Sequence, residues 1–432
     1  MSTVKTARVS VLMPAHNAAG TIAASVDSVL AQTMEAWELI IVDDGSTDAT
    51  AEIVERFEDP RIRLLHQEQG GPSAARNRAF ADSQAELIAF LDADDLFHPT
   101  KLQRQSDFLR DNSSVGSTYC RHRCIDDGGI PWTVRAPKAA LSAADFLSGF
   151  PFNPSAQMVH RSFHEAAGGF DESLSINEDR DYCLKLATRG CRFALTEDVL
   201  ADYRVHPAGG RFRRDGLDQS LQVLARHKGV DKRITQAARR AAYQENALQA
   251  AAAGDWPFAT ACMEELLTRA PDLLRNQGRT DDLLQSVVDC AVRSRCEWDP
   301  IIRAIFRALE EQQAGWSSEQ DWALGSAAVV SGVREVIWGR AEAAKSTFSL
   351  GASRGARLDE RTQRLLRWDL FQVREAFGDD SWQALRVRLS GALIVIDSEA
   401  RIETLLDSVE AQEPSMSTMA RLRRWLPTLG PR

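Results

Sequence analysis

Three aspartates within four positions, Asp92, Asp94 and Asp95, follow the unbroken apolar run Leu87-Ile88-Ala89-Phe90-Leu91. Carboxylates this close repel one another unless a cation or bound protons relieve them. Oxygen-only ligands suit Mg2+ or Mn2+, and Mg2+ is commonly held by one or two carboxylates together with substrate phosphates. A second acidic set, Asp43-Asp44-Gly45-Ser46-Thr47-Asp48, also closes an apolar run, residues 37–42. A third, Asn177-Glu178-Asp179-Arg180-Asp181, opens a helical pattern that buries Tyr182, Leu184 and Leu186. Taken one at a time, each set has a plain structural reading as a turn or a helix start, where acids complement the helix dipole. Cys120 and Cys124 flank Arg-His-Arg, but no second ligand pair stands nearby, and ordinary thiols explain them better.

The acids need elements that bring them together. Residues 87–91 read as a strand covered on both faces. Residues 9–14 form a short apolar strand stopped by Pro14, and residues 37–42 and 63–66 form two more. Helices fall between them: one after Thr21 with Ile22, Val26, Val29 and Leu30 on one face, one up to about Phe57, and one carrying Arg76, Asn77 and Arg78. Strand and helix alternate as in a doubly wound sheet, whose right-handed crossovers gather the loops after successive strands at one edge. Residues 14–17, 43–48, Arg76 and 92–95 are therefore expected to line one crevice beyond the carboxyl ends of the strands, where ligands of such sheets bind.

Seven stretches together resemble the family 2 glycosyltransferases, inverting enzymes of the GT-A fold: VSVLMPAHN (9–17), IIVDDGSTD (40–48), GPSAARN (71–77), LDADD (91–95), GGFDE (168–172), NED (177–179) and YRVH (203–206). Each is weak alone; their shared order and spacing, over residues 8–210, are specific. The resemblance implies a GT-A glycosyltransferase domain, a doubly wound mixed sheet with helices on both faces, over residues 1–214. It implies that Pro14, His16 and Asn17 line a base pocket and that Asp44 accepts a hydrogen bond from the base, which suits uracil, whose N3–H is a donor. Arg76 is then the contact to nucleotide or diphosphate, as guanidinium geometry matches phosphate. Asp94 is the principal ligand of Mn2+ or Mg2+, with Asp92 and Asp95 as further ligands or ribose contacts, and His206 completes the metal or phosphate shell. Asp179 is the catalytic base and Glu178 its support, with Asp181 a spare acid. A single base opposite the leaving group gives inversion without a covalent intermediate. Residues 209–214, two glycines beside three arginines, read as a lid over the diphosphate or as a linker.

From Asp215 on the pattern is helical, and an all-α domain is expected over residues 215–432. Turns at Gly254 and Gly339 resemble degenerate tetratricopeptide-type hairpins, although their offset of 85 residues is no multiple of about 34. Eight tryptophans (256, 298, 316, 322, 338, 368, 382, 425) fall here and are read as packing between helices. Such arrays present long surfaces to protein partners. The tail Arg421-Leu-Arg-Arg-Trp425 is basic and amphipathic, suited to weak peripheral contact with an anionic membrane.

A net charge of −9 over 432 residues argues against nucleic-acid binding, which needs clustered basic residues. Seven cysteines, an odd and scattered number, fit a reducing cytoplasm, and neither a signal-peptide core nor a membrane span is evident. The expected activity is metal-dependent, inverting transfer of a sugar from a nucleoside diphosphate, UDP above all, to a glycan or lipid-linked glycan in bacterial surface polysaccharide or lipopolysaccharide assembly. Two alternatives stand beside it: a protein O-glycosyltransferase whose helical half recruits the acceptor, and a binding or scaffold protein without turnover. A sugar-nucleotide pyrophosphorylase would want basic residues in the loop after the first strand, where this chain has Pro-Ala-His-Asn-Ala-Ala-Gly.

Overall fold

The apolar runs become the strands of one mixed sheet. They are β1 (Val9–Ala15), β2 (Trp37–Asp44), β3 (Ile62–Gln67), β4 (Leu87–Phe90), β5 (Leu96–Phe97), β6 (Ser117–Ile125), β7 (Pro131–Arg135), β8 (Ala140–Leu141), β9 (Gln157–His160) and β10 (Phe193–Arg204). A computed structural model describes residues 7–129, 131–206, 213–227, 232–269, 284, 287–288, 298–312, 315–377 and 379–411. The strand order is β3-β2-β1-β4-β9-β6-β10-β5, with β8 against β10. β1 pairs parallel with both β2 and β4, and β2 parallel with β3. The expected gathering of the first four strands' carboxyl ends therefore holds. β9 runs antiparallel to β4 and β6, which makes the sheet mixed.

Every side chain of β4 is buried, as a strand covered on both faces requires. The helices are α1 (Ile22–Leu30), α2 (Thr50–Val54), α3 (Gly71–Asp82), α4 (Lys101–Asp111), α5 (Ala143–Ser148), α6 (Arg161–Ala167), α7 (Glu178–Thr188) and α8 (Gly216–Arg226). Ile22, Val26 and Val29 of α1 join Val11, Met13 and Leu39 in one core. Thr21 stands at the N-cap of α1, but its hydroxyl bonds to the Ala18 carbonyl rather than capping the helix. Pro154–Ala156 is a 3-10 turn, and β9 follows it.

Two compact units result. One comprises residues 1–125, 135–204 and 222–231; the other comprises 126–134, 205–221 and 232–432. Short segments thus change sides, and a single cut at 214 does not separate them. The second unit is mainly helical. Lys232–Ala252 and Trp256–Arg269 meet at Gly254 (φ +78°), and Ser317–Ile337 and Ala341–Ser353 meet at Gly339 (φ +76°). Positive φ is where glycine carries no Cβ penalty. Its core runs through Leu266, Ile305, Val330, Phe348, Leu389 and Leu405, and encloses the ion pair Arg334–Asp369 at 2.6 Å. Trp316 and Trp382 are buried as packing predicts, whereas Trp256 is exposed. Residues 209–212 of the expected lid and the basic tail lie outside the described residues.

Candidate active site

The loops after β1 and β2 are knitted together by side chains that accept backbone N–H groups. Asn17, at φ +50°, accepts Thr47 N–H on Oδ1 at 2.8 Å, and its own N–H donates to Ser46 Oγ at 3.0 Å. His16 donates from Nδ1 to the Asp44 carbonyl at 2.8 Å. That fixes the tautomer, so Nε2 is the acceptor for the amides of Asn17 and Gln69, each 3.2 Å away. His16 and Asn17 are exposed and Pro14 is half-buried, paired in register with Val42. Gly45, at φ +69°, lies so near the next loop that a Cβ there would meet the Gln69 nitrogen at 3.0 Å.

Asp44 has partners within the protein. Its side chain is buried: Oδ1 accepts Gln67 Nε2 and Gly70 N–H, both at 2.7 Å, and Oδ2 accepts Gly71 N–H at 2.8 Å. It anchors the start of α3, and one lone pair of Oδ2 is left for a donor on a base.

The acidic motif after β4 divides in the same way. Asp95 is fully buried, with Oδ2 accepting Asn153 Nδ2 (2.8 Å) and Ser155 Oγ (2.5 Å) and Oδ1 accepting Arg204 N–H (2.8 Å). Those bonds make Asp95 the hub that fixes the loop, a role its reading as a further ligand or ribose contact does not include. Ser155 Oγ also accepts Asp92 N–H at 3.0 Å, and Arg204 Nε donates to the Asp94 carbonyl at 2.9 Å. Asp94 is half-buried, and the Asp92 side chain is 24% exposed. Burial, then the charges of Asp94 and Asp92, push the Asp95 carboxyl well above the ordinary range. A cation beside Asp92 and Asp94 would relieve that excess of negative charge, and two carboxylates plus phosphate oxygens suit Mg2+ or Mn2+. Among the described residues, no group of three or more His, Cys, Asp or Glu side chains is already arranged around a metal position.

Arg76 has two acidic partners within the protein. It is buried, and its guanidinium bridges Asp92 Oδ1 (2.6 Å) and Glu178 Oε1 (3.2 Å) above the ring of Phe170 (5.2 Å to the centroid). Burial works against its charge, but Asp92 and Glu178 hold it protonated more firmly than usual. One side chain of α3 thus ties the acidic loop to the start of α7. Asp179, next in α7, is half-buried and accepts Arg180 N–H at 2.6 Å. Its carboxyl is pushed up to about 7, first by burial and then by the charge of Glu178, against the pull of Arg76. A carboxylate with that proton affinity is matched to general-base work near neutrality.

The helix carrying it is held from several sides. Asn177 precedes it at φ +62°. Arg180 is buried and donates from Nε to the Phe146 carbonyl (2.6 Å) and from NH2 to Leu147 O at the carboxyl end of α5, where cations are favoured. Asn77 pins the preceding turn, with Nδ2 on Phe170 O (3.0 Å) and Glu172 Oε1 (2.9 Å) and Oδ1 accepting Phe170 N–H (2.9 Å). Beneath, Phe170 stacks on Tyr182 (4.3 Å between centroids), and the Tyr182 hydroxyl is 2.7 Å from His164 Nδ1. Burial keeps that imidazole neutral, pushing it down to about 3. His206 lies past β10 in the second unit, its Nδ1 2.9 Å from Asp127 Oδ1. Arg78 is an exposed surface residue beside Asp82.

Residues 10–168 match the model of glycosyl transferase family 2. The chain is 32% identical over 203 residues to the putative teichuronic acid biosynthesis glycosyltransferase TuaG of Bacillus subtilis, a match covering 46% of this chain and 79% of that protein. The chain belongs to glycosyltransferase family 2. It is also 40% identical over 131 residues to the UDP-Glc:alpha-D-GlcNAc-diphosphoundecaprenol beta-1,3-glucosyltransferase WfgD of Escherichia coli, across 30% of this chain and 51% of that one. A crystal structure of S. aureus TarS 1-349 in complex with UDP aligns at 17% identity and a TM-score of 0.44, over 81% of this chain and 89% of that one, too distant to bear on the site. The motif residues of this family 2 glycosyltransferase were legible by position. Asn153 and Ser155, which set the acidic loop, leave only the signal of a Ser two residues after Asn and before a strand, and Arg204 stands within the motif at 203–206 without a role given to it there.

Proposed function

We propose that the chain is an inverting, metal-dependent glycosyltransferase that moves a sugar from a nucleoside diphosphate, UDP in particular, to a hydroxyl of a glycan or lipid-linked glycan. The observation that carries this is the Arg76 bridge: one buried guanidinium joins Asp92 of the acidic loop to Glu178, beside the raised carboxyl of Asp179. In this reading Asp44 and the His16–Asn17 loop hold the base, and Asp94 with Asp92 would hold Mn2+ or Mg2+. When bound, that ion supplies positive charge against the leaving diphosphate. Asp179 takes the proton of the acceptor hydroxyl as its oxygen bonds to the anomeric carbon; the bond from that carbon to phosphate oxygen breaks and the nucleoside diphosphate leaves. Glu178 and Arg76 position the base. Attack from the side opposite the leaving group inverts the centre.

The relatives' names support the substrate class, WfgD through UDP-Glc and a diphosphoundecaprenol acceptor and TuaG through teichuronic acid. The setting proposed is surface-polysaccharide assembly at the inner face of a bacterial membrane. No described helix is long and apolar enough to cross one. The test is nucleotide release from UDP-, GDP- and dTDP-sugars with Mn2+ and with EDTA. Metal-dependent release from a UDP-sugar is expected; absence of both turnover and calorimetric binding across the set would sink the reading.

A further inference from the structure

A base at the second residue of a helix has no intrahelical bond on its N–H, so its position depends on what grips the chain around it. Two grips come from a place outside the residues matched by the family model and past the expected boundary at 214. Val223 and Leu224 near the end of α8 are buried, so residues 222–227 are packed into the first unit. Arg226 NH1 pairs with Asp171 Oδ2, and its NH2 is 3.4 Å from Ser173 Oγ. His227 Nε2 lies 3.0 Å from Asp181 Oδ1, and Lys185 Nζ lies 3.0 Å from Asp181 Oδ2. The Asp181 side chain is 1% exposed. Asp171 opens the segment that leads into α7, and Asp181 lies one half-turn beyond the base. Exposed residues 172, 173 and 175 lie between the first grip and α7.

We propose that Arg226 and His227 are positioning residues of the transfer reaction, clamping the chain on both sides of Asp179 so that its carboxylate meets the acceptor hydroxyl. It follows that the working transferase unit extends to about residue 227. This inference rests on the transferase reading. Misplacing a reacting group by about 1 Å can cost on the order of 100-fold in rate. The hydrogen bonds and ion pairs of Arg226 and His227 go to Asp171, Ser173 and Asp181 and not to the loops at 14–17 and 43–48, so the clamp acts on turnover and not on donor binding.

The experiment uses the full chain with Arg226→Ala, His227→Ala, the double variant, and the conservative Arg226→Lys and His227→Gln. UDP release from UDP-glucose and UDP-GlcNAc with Mn2+ gives kcat and KM, and calorimetry with UDP and Mn2+ gives binding. The double variant is expected to lose at least about tenfold in kcat with UDP affinity within twofold of wild type. His227→Gln, which keeps an N–H donor, is expected to recover most of the rate, and it stands in if an alanine variant does not fold. An unchanged kcat in the double variant, or a fall in UDP affinity matching the fall in kcat, overturns the clamp. A wild type that neither turns over these donors nor binds UDP overturns the underlying transferase reading instead.

Discussion

At the scale of single residues, Asp179 holds its proton to about pH 7 because burial and Glu178 disfavour its charge more than Arg76 favours it. As the proposed base it works deprotonated, so kcat/KM is expected to rise about tenfold per pH unit below 7 and to level off above it, in a pH–rate profile. Glu178→Gln removes a like charge and leaves Arg76 in place, so the midpoint should move to lower pH. A midpoint that stays or rises would show that Glu178 does not act on the base. The stability effect has the opposite sign. A carboxyl whose folded-state value exceeds its unfolded value of 3.8 binds more protons when folded between about pH 4 and 7, and stability falls across that window. Asp179→Asn should therefore melt higher than wild type at pH 8, with the difference gone below pH 4. Arg76→Gln leaves two acidic groups facing a lost cation. Thermal unfolding should show a loss of roughly 3 kcal/mol, smaller if solvent reaches the Asp92 end.

At the scale of elements, α3 organises the site. Its first N–H groups go to Asp44, Arg76 goes to the acidic loop and the start of α7, and Asn77 goes to the turn at 169–172. Asn77→Ala removes three hydrogen bonds and is expected to cost about 1–3 kcal/mol and to lower kcat more than it raises donor KM. Equal changes in both would mean the turn serves the donor as much as the base. The strands that position the site were readable because four apolar runs each end in polar turn residues. What the spacing leaves unread has one cause. Asp44, Arg76 and Asp95 look like residues that face a ligand, and their protein partners lie 26, 102 and 109 positions away in the chain. Spacing along a strand or helix carries no trace of such partners. The two-residue strands β5 and β8 were illegible for a related reason, since pairing with β10 and not local pattern creates them.

At the scale of the whole molecule, the chain is acidic, with a net charge of −9, and a cation and a diphosphate are proposed to meet beside Asp92 and Asp94. A ligand that binds the folded state alone stabilises it by about 2.7 kcal/mol at a hundred times its dissociation constant. UDP with Mn2+ should raise the unfolding temperature of wild type, and Asp94→Ala should remove the part that depends on the metal. A metal-dependent gain surviving in that variant would place the ion elsewhere. The helical character of the second unit was plain from composition, and its two glycine turns fall where expected. Which residues change sides between the units was not, because Val223, Leu224, Arg226 and His227 look from sequence like one more amphipathic helix. The most direct measurement is a comparison of wild type with Asp179→Asn for both UDP-sugar binding in Mn2+ and catalysed UDP release. Binding within about twofold of wild type with a rate lower by at least 1,000-fold, of the order general-base loss can reach, is the result predicted. Parallel loss of binding and rate would contradict it and make Asp179 a structural residue of α7.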